Sequence, residues 1–157
     1  MWNWWRKKKL SDGEIELNLY LTTKDPDPDG WGNTFFYDII EVKTRRIVGR
    51  CDLRIGQTST LYIGGNIGYS VYIPYRGHRY AAKACSLLFD VARQAGMRRL
   101  IITCNPDNVA SYRTCEILGC TLKEIVDVPA GHELYLQGDR QKCIFVKELI
   151  AAPDRNA

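Results

Sequence analysis

The chain has 157 residues, of which 45% are hydrophobic and 25% are charged, and its net charge is +4. These values are typical of one soluble domain, and so mild a charge permits an anionic ligand without indicating nucleic acid. No apolar run approaches the roughly 20 residues of a membrane helix, and the first residues do not resemble a secretory signal, so we expect a single cytoplasmic domain over residues 1–157.

The chain begins with an aromatic and basic segment. It reads Met1-Trp2-Asn3-Trp4-Trp5-Arg6-Lys7-Lys8-Lys9. We expect residues 1–10 and 151–157 to be loose termini, with the tryptophans covering part of a sheet. Contact of this first segment with a membrane surface or a partner is the alternative.

The first half of the chain reads as strands. Alternating apolar and polar residues predict a strand over 15–21, and similar patterns predict strands over 35–42 and 47–55. The proline and glycine content of residues 25–33 predicts a loop. Because the glycines of 64–66 precede a strand rather than a helix, they predict a hairpin turn and not a phosphate loop.

A strand, a basic turn and a helix follow in the middle of the chain. Residues 67–73 alternate as a strand with Ile67, Tyr69, Val71 and Ile73 on one face, and residues 79–95 carry apolar side chains at helical spacing. Backbone N–H groups at the start of that helix would suit a phosphate or pyrophosphate. An ordinary strand-to-helix connection is the other interpretation of the turn.

The second half predicts a strand over 98–104, a helix over 107–118 and strands over 122–128 and 142–149. Antiparallel hairpins followed by a strand–helix–strand crossover give the α+β class, with a mixed, mostly antiparallel sheet of about seven strands flanked by helices. The six cysteines form no Cys-x-x-Cys pair. We therefore predict reduced, buried thiols and no zinc or other metal site.

Two short motifs carry a family resemblance. The first is a loop of the form Gln/Arg-x-x-Gly-x-Gly/Ala after a strand, in which Arg76 takes the first position and Ala81 the last. Arg79 stands where glycine is usual. A cation near phosphate and an altered loop are both open consequences of that replacement.

The second motif is Asn-x-x-Ala/Ser followed by Gly-Phe at the end of the next helix. Asn108, Ser111 and Gly119 match it, and Cys120 replaces the aromatic residue. With these motifs the chain resembles the GNAT N-acetyltransferases, in particular the branch of ribosomal-protein-alanine acetyltransferases. The family usually has one or two helices in the interval that is here the loop of residues 25–34, so the resemblance implies a reduced helical segment between the first two strands.

The resemblance implies acetyl-CoA as the acetyl-donor cosubstrate. In the family the turn holds the pyrophosphate, the strand edge binds the pantetheine arm and the second motif binds the lower part of the cofactor. The positions that correspond are Val71, Tyr72, Ile73, Arg76, Gly77, His78, Arg79, Tyr80, Ala81, Asn108 and Ser111. Capping of a helix is the alternative role for Asn108 and Ser111.

The catalytic residues are less defined. Many family members place a tyrosine seven residues after the asparagine, to protonate the thiolate, and here that position is Cys115. Tyr112 lies one turn earlier, so Tyr112 and Cys115 are the candidate acids, with solvent as the alternative. A covalent acetyl-enzyme on Cys115 competes with a packed helix cysteine. Further acid–base candidates without distinctive spacing are Glu41, Asp52, His132 and Glu133.

The resemblance therefore implies an N-acetyltransferase that moves an acetyl group directly to a primary amine. The acceptor is a protein N-terminus, a small amine or an amino sugar. A non-catalytic CoA-binding or regulatory module is one alternative, and an RNA- or ribosome-associated protein, suggested by the basic residues at 6–9 and 98–99, is another. A homodimer is compatible with this sequence.

Overall fold

The computed structural model describes residues 9–149, so the expectations for residues 1–8 and 150–157 lie outside the described part of the chain. Within it, eight strands alternate with four α-helices. They are β1 (Leu10–Ser11), β2 (Ile15–Thr23), β3 (Asn33–Glu41), β4 (Ile47–Ile55), α1 (Ser59–Gly64), β5 (Ile67–Val71), α2 (Tyr80–Gln94), β6 (Arg99–Cys104), α3 (Val109–Ile117), β7 (Thr121–Asp127), α4 (Glu133–Leu136) and β8 (Gln141–Glu148), with a 3₁₀ turn over Ile73–Tyr75.

The strands form two sheets. Five strands lie in the order β1-β2-β3-β4-β5, and three lie in the order β6-β8-β7. Every strand pair in residues 9–149 is antiparallel. The predicted α+β class and mostly antiparallel pairing are confirmed, with eight strands in two sheets rather than about seven in one.

The core lies between α2 and the inner faces of the strands. Ala84, Cys85, Leu88 and Ala92 recur at helical spacing on one side of α2 and are fully buried. They belong to one cluster with alternating residues of the strands, such as Leu53 of β4. This packing fixes the start of α2 against the end of β5.

The two sheets meet at Asn66, which is only 3% exposed. Its backbone N–H donates to the carbonyl of Ile101 (2.7 Å), and its side-chain Oδ1 accepts from the N–H of Ile101 (2.8 Å). Its Nδ2 donates to the carbonyls of Arg54 (2.9 Å) and Gly56 (3.0 Å). Beyond this vertex β5 and β6 form no ladder, and a cleft opens between them.

The loop before β3 contains no helix, as expected from its composition. Asp25 accepts hydrogen bonds from the N–H groups of Asp27 (2.9 Å) and Trp31 (2.8 Å), so the loop is folded by its own carboxylates. Thr58, the N-cap of α1, donates to the carbonyl of Gly30 (2.6 Å). These bonds place Trp31 beside the cleft.

Three local predictions are wrong. The turn at residues 64–66 is not a hairpin, because Thr58 caps the short helix α1 and that helix connects β4 to β5. Strand β5 ends at Val71, and Ile73 is 76% exposed, since Pro74 has no N–H to extend a ladder. Leu10, assigned to a loose terminus, is paired in β1 and buried.

Among the described residues, no helix has both the length and the apolar character needed to span a membrane.

Candidate functional site

A cavity of about 670 Å³ occupies the cleft between the two sheets. One wall is β5 and the start of α2, and the opposite wall is the end of β6 and the start of α3. Its lining includes Trp31, Arg54, Gly68, Tyr69, Val71, Arg76, Gly77, Arg79, Tyr80, Ala81, Cys104, Asn108, Ser111, Thr114 and Leu134.

The start of α2 presents unpaired donors to one end of this cavity. The first hydrogen bond of the helix runs from Lys83 N to Arg79 O (3.0 Å), so the N–H groups of residues 80–82 have no partner within the helix. Tyr80 and Ala81 line the cavity there. Together with the helix dipole, these donors make an end suited to a phosphate group.

Arg79 is the N-cap of α2 in an unusual conformation. Its φ of 59° and ψ of 28° lie in the left-handed region, and its side chain makes no capping bond. That conformation is normal for glycine and costs other residues about 1–2 kcal/mol. The turn thus keeps a glycine-like backbone at this position while it places a guanidinium beside the cavity.

A carboxylate fixes the first residue of α2. The Tyr80 hydroxyl donates to Glu41 Oε2 (2.6 Å). This bond lowers the pKa of Glu41 and is the main reason why the pKa of Tyr80 rises to about 12. His78 stacks on the Tyr80 ring at 5.3 Å and does not line the cavity.

The edge of β5 supplies a second set of backbone groups. Tyr72 N donates to Val48 O (2.8 Å), and Val71 lies opposite Gly49 in the register. Since hydrogen-bonded and outward-facing residues alternate in an antiparallel strand, the N–H and C=O groups of Tyr69 and Val71 point toward the cleft. Arg76 Nε donates to Val71 O (2.9 Å), which ties the basic turn to the end of the strand.

Two hydroxyl groups meet across the cleft. The Tyr69 and Ser111 oxygens lie 2.6 Å apart, so β5 and α3 are bridged at this point. Burial is the main cause of the raised pKa of Tyr69, which therefore stays protonated. Asn108 is the N-cap of α3, and its Oδ1 accepts from Ser111 N (3.2 Å).

The far end of the cavity is formed by Trp31, Arg54 and Leu134. Arg54 lies 4.9 Å from the Trp31 ring and donates to the carbonyls of Gly64 (3.1 Å) and Gly65 (3.2 Å). Its Nε lies 2.7 Å from Asp52 Oδ2. Burial raises the pKa of Asp52, and the nearby guanidinium opposes that rise.

Comparison with known proteins decides the family. The family model described as "Acetyltransferase (GNAT) domain" matches residues 2–121, which is more than half of the chain. The chain belongs to the GNAT acetyltransferase family. No curated protein matches the sequence significantly.

Solved GNAT structures share the fold. A Bacillus anthracis GNAT acetyltransferase is 20% identical with a TM-score of 0.58, over 73% of this chain and 66% of that one. A ribosomal-protein-S5-alanine acetyltransferase from Vibrio fischeri is 19% identical with a TM-score of 0.58, over 73% and 61%. The microcin C7 self-immunity acetyltransferase MccE, solved with acetyl-CoA and AMP, is 21% identical with a TM-score of 0.55, over 73% and 61%. The aligned part is less than two thirds of each of these longer chains.

The cavity gathers most of the residues to which the GNAT resemblance assigned cofactor binding. Val71, the basic turn and the second motif all contribute to its walls. Those that line it are Val71, Arg76, Gly77, Arg79, Tyr80, Ala81, Asn108 and Ser111. Tyr72, Ile73 and His78 do not line it, and the Tyr72 N–H is already bonded to β4.

The two candidate acids lie away from the cavity lining. Tyr112 packs edge-on against Phe145, with ring centroids 5.0 Å apart. Cys115 is fully buried in the core, and a hydrogen bond to Cys120, followed by burial, raises its pKa. Because this thiol is buried, stays protonated and lies outside the cavity lining, the geometry offers no support for an acetyl intermediate on Cys115.

Sequence reasoning missed Tyr69, Arg54 and Trp31. The alternation of β5 places Tyr69 on the same face as buried residues, and this pattern indicates core packing rather than a site.

His132 was a candidate base, but its Nδ1 accepts from Leu134 N (3.1 Å) and its Nε2 lies 3.0 Å from Thr60 O. Both ring nitrogens are thus occupied by the backbone.

Proposed function

We propose that this protein is an acetyl-CoA-dependent N-acetyltransferase that transfers the acetyl group directly to a primary amine. The observation that carries the proposal is one cavity that joins free helix-start N–H groups, the cleft-facing edge of β5 and the bridged hydroxyls of Tyr69 and Ser111. These three features suit, in order, the pyrophosphate, the amide groups of the pantetheine arm and the thioester.

The basic turn supports the diphosphate end. Arg76 is anchored through Nε to Val71 O, and Arg79 is held beside the cavity by the backbone of the N-cap. Charge-assisted bonds from guanidinium groups add to those of the helix-start N–H groups. We assign both arginines to cofactor binding, together with the backbone of Gly77 and Ala81.

The edge of β5 supports the arm of the cofactor. The backbone of Tyr69 and Val71 faces the cleft, and an amide-bearing chain can pair there as an added strand. An N–H at this edge would also donate to the thioester carbonyl and stabilise the negative charge that develops on its oxygen. Asn108 and Ser111 face this edge from the start of α3.

The Tyr69 hydroxyl is suited to donate a hydrogen bond to the sulfur that leaves the thioester. As the amine nitrogen forms its bond to the carbonyl carbon, the carbon–sulfur bond breaks and the nitrogen releases a proton. Because burial raises the pKa of Tyr69, its phenol remains protonated and donates a hydrogen bond to the sulfur instead of transferring its own proton. The proton released by the nitrogen passes through solvent to the thiolate, which leaves as the free thiol of CoA.

The far end of the cavity is the proposed acceptor site. Trp31, Arg54 and Leu134 form its wall, and Asp52 lies behind Arg54. Four of the similar structures are described as acetyltransferases of ribosomal proteins, which supports a protein N-terminus as the acceptor. Small amines and amino sugars remain acceptor classes to be tested beside it.

Calorimetric titration with acetyl-CoA tests the first half of this proposal, with desulfo-CoA and ATP as controls. We expect saturable binding of acetyl-CoA and none of comparable affinity for ATP. Thiol release in the presence of peptide, small-amine and amino-sugar acceptors tests the second half. Absence of binding contradicts the proposal, and binding without turnover over the whole panel would favour the non-catalytic module.

A further inference from the structure

The C-terminus of α3 brings two cysteines together. Gly119 follows the helix with a φ of 72°, Cys120 N donates to Cys115 O (3.0 Å), and Gly119 N donates to Glu116 O (3.0 Å). This pattern of bonds is the Schellman motif, in which the side chains of the first and last residues are frequently in contact. Here those residues are Cys115 and Cys120.

The two thiols are in unequal surroundings. Cys115 is fully buried, whereas Cys120 is partly exposed. The Cys115 thiol donates a hydrogen bond to Cys120, and this bond, followed by the charge of Lys147, lowers the pKa of Cys120. Lys147 is fixed beside the helix end because its Nζ donates to Leu118 O (2.9 Å).

The same two positions are those at which this chain departs from the second GNAT motif. Cys115 stands where many members place a tyrosine, and Cys120 stands where an aromatic residue is usual. Both replacements are cysteine, and the fold puts them in contact. The other four cysteines, Cys51, Cys85, Cys104 and Cys143, are all buried.

We propose that Cys115 and Cys120 form a peroxide-sensitive thiol pair that closes to a disulfide at the end of α3. The Cys120 thiolate attacks the peroxide, the O–O bond breaks, and a sulfenic acid forms with release of hydroxide, or of water once that hydroxide is protonated. The Cys115 thiol gives its proton to the sulfenic oxygen as its sulfur bonds to the sulfenic sulfur, and that oxygen leaves as a second water. Two thiols are oxidised and one peroxide is reduced to two waters.

The disulfide reaches the cofactor site through α3. Cys115 lies one helical turn after Ser111, and close-packed cores transmit small shifts of a buried side chain. Forming the S–S bond draws Cys115 toward Cys120 and away from its packing position. This coupling rests on the proposed function, and we expect weaker acetyl-CoA binding after oxidation and recovery after reduction.

Peptide mapping of the full chain tests the pair directly. Trypsin cleaves after Arg113 and Lys123, so both cysteines fall in the peptide 114–123, and each of the other four lies in a separate peptide. After treatment with one equivalent of hydrogen peroxide, alkylation and digestion, we expect this peptide to be unalkylated and lighter by two hydrogen atoms. The other four cysteine peptides are expected to be alkylated.

Variants separate the two thiols. Cys120→Ser is expected to leave Cys115 reduced under the same treatment, and Cys115→Ser to leave a sulfenic acid at Cys120 that a 1,3-diketone traps. Cys143→Ser, a control at a buried cysteine of β8, is expected to form the same disulfide. Full alkylation of peptide 114–123 after peroxide, or oxidation that begins at another cysteine, overturns the proposal.

Calorimetry on the reduced and oxidised forms separates the remaining outcomes. A disulfide with unchanged acetyl-CoA affinity overturns the coupling to the cofactor site. If the reduced protein does not bind acetyl-CoA at all, the proposed function fails, while the peptide result still decides the chemistry of the thiol pair.

Discussion

The hydroxyl oxygens of Tyr69 and Ser111 lie 2.6 Å apart and bridge the cleft between β5 and α3. Both residues line the cavity, Tyr69 from the wall of β5 and Ser111 from the wall of α3, and our proposal places the departing sulfur beside them. Because of this bridge, we expect substitutions of Tyr69 and of Tyr112 to have different effects on catalysis.

Tyr69→Phe removes the hydroxyl group that bonds to Ser111 across the cleft. We expect kcat to fall by about tenfold, which corresponds to the loss of one hydrogen bond of roughly 1.4 kcal/mol in the transition state. Acetyl-CoA affinity should change little. Tyr112→Phe is the matched control, because Tyr112 packs on Phe145 outside the cavity lining. Steady-state kinetics that show the larger loss for Tyr112→Phe would contradict our assignment.

Arg79→Gly separates backbone strain from cofactor binding. Glycine adopts positive φ without the cost that arginine bears, so we expect a gain of about 1 kcal/mol in the free energy of unfolding. Acetyl-CoA affinity should fall by about tenfold, since a charge-assisted bond is lost. Arg45→Gly is the control, because Arg45 also has positive φ (61°) but lies outside the cavity lining. Urea unfolding and calorimetry measure the two effects, and equal affinity losses in both variants would refute the role of Arg79.

Tyr80→Phe tests the hydrogen bond that joins the first residue of α2 to the Glu41 carboxylate. The hydrogen bond from Tyr80 lowers the pKa of Glu41, so the folded state favours the charged carboxylate. Its contribution to stability is present above the ordinary carboxyl pKa of 4.5 and is lost as the pH falls through the lower folded value. The stability difference between wild type and Tyr80→Phe should therefore shrink in acid. Urea unfolding across pH measures it, and a difference independent of pH would show that Glu41 is not involved.

Trp31→Ala tests the proposed acceptor wall. Trp31 contacts the Arg54 guanidinium and donates from Nε1 to Glu133 Oε2 (2.9 Å), so its removal loosens the loop and α4 together. We expect a higher KM for the amine acceptor with little change in acetyl-CoA affinity. Tyr62→Phe, at a residue of α1 that lies outside the cavity lining, serves as the control. A loss of acetyl-CoA affinity alone would place Trp31 at the cofactor end instead.

The strands and the two long helices could be predicted because their apolar side chains recur at the periods of buried faces. The short helix α1 could not, since six residues carry too little periodicity and its start depends on Thr58 reaching Gly30 of a distant loop. The same limit applies to Ile73, whose alternation continues that of β5 although Pro74 ends the ladder.

The sequence predicted those parts of the site whose backbone conformation is specified by a motif. It predicted less well the parts that depend on side chains from separate elements. The basic turn and Asn108 were found from their resemblance to the two GNAT motifs, and both line the cavity. Whether Arg79 would alter the turn depended on its φ, which only the structure shows. Tyr69 escaped notice because its partner is 42 residues away in the chain.

Asn66 has a consequence for the thermodynamics of ligand association. Its amide takes the place of a strand neighbour for Ile101 and spans to two carbonyls of the first sheet, so the angle between the sheets is set by bonds internal to the protein. A cleft held open in this way requires little ordering of the chain when a ligand enters, which leaves more of the contact energy available as affinity. Asn66 therefore favours binding by lowering its entropic cost, and not by recognising the ligand.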